Sequence, residues 1–251
     1  MYCLVSNKHK INNKIMKKYF AIAMIALASV CASSCNKDNS KTEESAKNYI
    51  NTWVTEPMAA TDVLSDMLQE FSTLLPAGSV SEISAEVGDA QLRRCAQFFE
   101  NGETVYGIVV DKASLLKVVN GISSWAEKTT TLEDYQKSAL KLIAVSFKTA
   151  INQMSDNDIL GTKSTYSIVE KDATSGVITI SVTETEDGKE VTTKRDVNYS
   201  NLSATTLTVS YTEKLTLDLK SAVSCGITPG KFVDFAELQK YLPADSVTPA
   251  E

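Results

Sequence analysis

Histidine is almost absent from this chain: its 251 residues contain one, His9. A chain with no histidine beyond its first few residues cannot build a Ser-His-Asp or Cys-His nucleophile, and it lacks zinc's commonest ligand. No Gly-rich phosphate loop and no Gly-x-Ser-x-Gly turn is present. Cysteine is scarce, five residues whose spacing matches no metal pattern. The apolar run near the N-terminus, Tyr19 to Val30, is about a dozen residues long, short of the roughly 20 that a spanning helix needs. No internal repeat is found. What these absences leave open is carboxylate-pair chemistry, an oxygen-ligand calcium site, or no catalysis at all.

The short apolar run is itself informative. Lys17 and Lys18 precede it, and the small residues Ala32, Ser33 and Ser34 lead directly to Cys35. A positive start, an apolar core and a small-residue exit are the parts of an export signal. The segment MKKYFAIAMIALASVCASSC, Met16 to Cys35, resembles the signal peptide of Bacteroidetes-type bacterial lipoproteins. Ala32 stands where such lipoboxes most often carry Leu. The resemblance implies that the Cys35 thiol takes a diacylglycerol and that residues 1–34 are removed. It also implies translation from Met16. The alternative is an ordinary secretory signal with Cys35 merely nearby. Residues 35–44 are polar and read as a flexible tether. Asn36-Lys37-Asp38 within it partly resembles the acidic surface-export signal of the same lipoproteins, but it holds only one acid, so a plain linker fits better.

Processing changes the charge. Residues 1–34 hold five of the 25 basic residues and none of the 31 acidic ones, so removing them leaves 20 against 31. Such an acidic surface disfavours nucleic acid as a partner and suits solubility. If Cys35 carries lipid, Cys95 and Cys225 remain. They are either a disulfide joining the two halves of the domain or two buried thiols.

Residues 45–160 read as mainly helical. Ala46, Tyr49, Ile50, Trp53 and Val54 fall at helical spacing. Val63, Leu64, Met67, Leu68, Phe71, Leu74 and Leu75 form a second stripe. Leu92, Cys95, Phe98 and Phe99 predict a third helix, stopped by Asn101-Gly102. Thr104 to Val110 is β-rich and predicts one strand. Leu115 to Trp125 predicts a fourth helix. The longest stripe runs from Tyr135 to Met154, with Thr131 and Asp134 as a capping box.

Residues 163–220 change period. Lys163 to Glu170 reads as a strand. Ile178, Ile180 and Val182 alternate with hydroxyls, and Asp187-Gly188 marks a two-residue hairpin turn. Counting outward pairs Glu184 with Val191, Val182 with Thr193, Ile180 with Arg195 and Ile178 with Val197. Arg195 is therefore a lone arginine on an apolar face, and a candidate ligand contact if it lacks an acid. Leu207 to Leu219 alternates as one bent strand or two short ones. A short helix is expected over 234–242 and a disordered tail over 244–251. In that tail Asp245-Ser246-Val247 resembles a short O-glycan acceptor, with Ser246 as the acceptor.

The remaining candidates each have a plainer reading. Asp156-Asn157-Asp158 starts like a calcium loop, but Leu160 stands where a ligand is needed, so a helix-ending loop fits better. Glu184, Glu186 and Asp187 sit at a hairpin tip, where solvated charges are usual. Trp53 and Trp125 lie on apparent core stripes rather than on a sugar-stacking platform. The stretches TYSIVEKD, GVITISV and TTLTVSY, from Thr165 to Tyr211, are distantly similar to lipocalin-like lipoproteins, in which a β-barrel holds an apolar ligand. Too few strands are evident to close such a barrel, and the helical spacing around Trp53 argues against Asn51 to Val54 as its first strand.

The sequence thus predicts an α+β fold, an N-terminal helical half packed on a C-terminal antiparallel β-meander, in a single domain over 45–243. It predicts an outer-membrane lipoprotein, lipid-anchored, with a non-catalytic binding or structural role. Its expected partners are the membrane and an envelope protein or glycan, with no cofactor and no metal. The alternatives are a carboxylate-dependent glycan hydrolase and a lipocalin-like carrier.

Overall fold

The computed structural model describes residues 48–63, 76, 78–186, 189–212, 215–234 and 237. Its centre is a closed antiparallel barrel of eight strands, not a meander under a helical half. The strands are β1 (Thr52–Val54), β3 (Gln91–Phe98), β4 (Glu103–Val109), β5 (Ile159–Asp172), β6 (Ser175–Glu186), β7 (Lys189–Ser200), β8 (Thr206–Thr212) and β9 (Leu215–Ser221). Each pairs with its neighbour in sequence, and β1 closes the ring by pairing with both β3 and β9. Two short strands lie off the ring. β2 (Met58–Ala59) pairs with β3, and β10 (Phe232–Asp234) lies parallel to the start of β5.

Alternation decides what each strand buries. In β6, Ile178 and Ile180 point inward while Thr179 and Ser181 point out, and the hairpin with β7 has the register expected from the sequence. Trp53, Ala96, Phe98, Tyr106, Leu207 and Leu217 belong to the same interior cluster. Eight strands enclose a space that side chains can just fill, or that one small ligand can share.

The helices form a second core. α1 (Ser79–Val87), α2 (Lys112–Lys128) and α3 (Asp134–Gln153) pack together through Ile83, Leu115, Trp125, Ile143 and Phe147, and they cover the inward residues Leu92, Ile108 and Leu160 at one end of the barrel. Residues 60–63 are also helical. Asp111 caps α2 by accepting from Ser114 N–H at 2.9 Å. The cap of α3 is Glu133 with Gln136, whose Oε1 accepts from Glu133 N–H at 2.8 Å. The expected cap residue Thr131 bonds to Thr129 instead.

Three expectations are corrected. Leu92 to Phe98 lies in strand β3 (Gln91–Phe98), with Phe99 just past its end, not in a third helix, and residues 52–54 are strand β1, not helix. Asn51 to Val54 thus does supply the first barrel strand. The physical reason is common to both. The inner face of these strands fills the barrel, and the outer face is covered by the 222–234 segment, which packs Ala222, Cys225, Ile227 and Phe232 against Val54 and Cys95. Burial on both faces puts apolar residues on both parities, and the result imitates helical spacing. Asp234, expected to open a helix, ends β10. The second stripe beyond Val63, the Asp187-Gly188 turn, most of the 234–242 segment and the 244–251 tail lie outside the described residues.

Candidate ligand site at the barrel mouth

The two ends of the barrel differ. One end is plugged by aromatic rings. Tyr166 meets Phe98 edge-on at 5.0 Å between centroids and Tyr49 at 6.2 Å, and its hydroxyl donates to Phe99 O at 2.8 Å. Trp53 Nε1 donates to Tyr49 O at 2.9 Å, which ties the chain entering β1 into this plug. Burial pushes the Tyr166 and Tyr199 phenols up to about 12. Above the plug the interior is closed: Trp53 is 0% exposed and Leu207 1%.

Among the described residues, the helices cover the other end on its β3–β5 side only. On the β6–β9 side the inward residues Val182, Arg195, Tyr211 and Leu215 are partly exposed and lie against the interior cluster. The sheet also splits here. Pairing of β5 with β6 stops at Thr165 and Ser181, and residues 159–161 of β5 take β10 as their neighbour instead. β7 pairs with β8 only over 198–200. The distal part of the β6–β7 hairpin therefore stands beyond the ring, and its inner face opens onto the interior.

Arg195 is the polar centre of this mouth. It lies opposite the buried Ile180, and its guanidinium sits over the Tyr211 ring at 5.5 Å. No carboxylate pairs with it among the described residues. The adjacent acid, Asp196, points to the outer face and accepts from Thr179 Oγ1 at 2.6 Å. Two strands away the inward Ser164 is 7% exposed, and its Oγ has no hydrogen-bond partner among the described residues. The opposite wall carries a second inward arginine, the buried Arg94 of β3. Sequence reading singled out Arg195 but missed Arg94 and Ser164. The alternation of β3 would have shown Arg94 once that segment was read as a strand.

The other sequence candidates resolve as follows. Cys95 and Cys225 are free thiols in one outer cluster, and burial pushes the Cys95 thiol up to about 12. Asp156 accepts from Lys112 N–H at 2.9 Å, and Asp158 accepts from Ser155 N–H at 2.8 Å and Lys231 N–H at 3.1 Å. These carboxylates hold backbone in place, which is the loop reading of that segment. Among the described residues no group of three or more His, Cys, Asp or Glu is placed to hold a metal, and no helix is long and apolar enough to cross a membrane. Trp53 and Trp125 are both buried. Cys35, Ser246 and the side chains of residues 184–189 lie outside what is described.

Comparison with protein-family models, with curated proteins and with solved structures gave no match. The barrel itself is compatible with a lipocalin-like binding protein, the reading that the sequence offered as an alternative.

Proposed function

We propose that this chain is a lipid-anchored envelope protein whose barrel binds a small, largely apolar ligand at its mouth and performs no chemistry on it. The observation that carries this reading is the partly exposed inner patch of Val182, Tyr211 and Leu215 on the rim of a closed barrel. Apolar surface that stays accessible on an inward face is the usual lining of a small-molecule site, with a few polar groups to set orientation. Because the interior side chains are buried, this reading puts the ligand at the rim and not in a deep calyx. The Met16–Cys35 segment supports the anchor, which the barrel would need to work at a membrane.

Photolabelling of the full chain in isolated membranes tests the site. A decanol analogue bearing a diazirine should label peptides that contain Val182, Tyr211 and Leu215. Label spread over the outer strand faces, or none above that of an unrelated envelope lipoprotein, sinks the reading. The anchor is tested separately: Cys35→Ala should leave the membrane fraction, and retention there contradicts acylation at that residue.

A further inference from the structure

We propose that Arg195 makes this mouth selective for single-tailed amphiphiles with an oxyanion head, a carboxylate or a phosphate monoester; this rests on the mouth being the ligand site. Arg195 is the decisive group because its charge is partly buried and, among the described residues, no carboxylate pairs with it. Its contact is the Tyr211 ring at 5.5 Å, which orients and stabilises a cation without cancelling its charge. Removing a cation from water without a counter-charge is costly, so a bound anion recovers more at this position than it would at an exposed one. The nearest acid in sequence is turned outward and held by Thr179.

The remaining features of the mouth fit an amphiphile more closely than a simple ion. A guanidinium presents a planar fork that matches two oxygens of a carboxylate or phosphate. Val182 and Leu215 offer the apolar surface that a methylene chain needs, on the same inward face as the guanidinium. The buried Ser164 Oγ two strands away, without a partner among the described residues, is a further hydroxyl on that face. The chain as a whole is acidic, with a formal charge of −6. Its general field therefore repels anions, and an anion held here is held by local contacts.

The experiment compares half-saturating concentrations for photolabelling of the full chain in membranes. The probes are diazirine analogues of decanoate, decyl phosphate and decanol. In the parent protein both anions should label the mouth peptides at lower concentration than decanol does. Arg195→Gln should weaken the anions about tenfold or more, the scale of a lost charge-assisted hydrogen bond, and leave decanol within about twofold. Arg195→Lys should restore part of the loss. The ratio of decanoate to decyl phosphate identifies which head is preferred. Equal labelling by anion and alcohol, unchanged in Arg195→Gln, overturns the charge selectivity and leaves the binding site standing. No mouth labelling by any of the three overturns both.

Discussion

The ring of Tyr199 lies across the β6–β7 pair from Gly176, so close that a Cβ on the glycine would stand 2.6 Å from it and 2.4 Å from Val169 O. The missing side chain is the slot in which the ring sits at the closed end of the barrel. Gly176→Ala must displace the ring or the strand and should cost about 1–3 kcal/mol, the usual scale of overpacking. The denaturant midpoint reads this directly. An unchanged midpoint would mean that the ring is seated elsewhere.

The helical layer has a comparable fastening. Trp125 Nε1 of α2 donates to Glu82 Oε2 of α1 at 2.7 Å, and the indole is 3% exposed. Trp125→Phe keeps most of the packing and loses that bond, so stability should fall by about 2 kcal/mol. Glu82→Gln should lose less, and the double variant should lose less than the two singles together. Full additivity would show that the two residues are not coupled.

The two described cysteines should differ sharply. Cys95 is buried on the outer face of β3 and its thiol is pushed up to about 12, whereas Cys225 is partly exposed. Iodoacetamide at pH 8 should alkylate Cys225 and spare Cys95 until the protein unfolds, since the thiolate is the reactive form. Peptide mass analysis distinguishes the outcomes. Protection of both until reduction would mean that they are joined.

Alkali should unfold the barrel from its plugged end. Burial raises the Tyr166 and Tyr199 phenols from 10.0 to about 12, so the fold favours their neutral forms. That contribution is complete below pH 10 and is lost as pH rises through 12. Tyrosinate absorbance should show a late-titrating group that appears together with loss of structure. Tyr166→Phe should shrink it. Titration of all tyrosines near pH 10 with the fold intact contradicts the plug.

Elements buried on one face were legible in the sequence. The β6–β7 hairpin has the register counted from Asp187-Gly188, and its alternation put Arg195 on the inward side correctly. α2 and α3 show plain amphipathic stripes because only one side of each meets the core. The strands β1 and β3 were not legible. Trp53 and Val54, like Leu92, Cys95 and Phe98, are buried on opposite faces. Such segments carry no period, because the outer cover comes from residues 222–234, more than a hundred positions away.

The sequence by itself determined the near absence of histidine, the export-like segment ending at Cys35, and the alternating strands from Lys163 onward. Those are local properties, written in composition and short-range spacing. Tertiary structure decided that the sheet closes on itself, because β3 and β9 lie far apart in sequence and are joined only through β1, which pairs with both. Closure is what turns alternate side chains of eight strands toward one interior. It alone places Arg195 at a rim beside Tyr211, with its neighbouring acid turned outward.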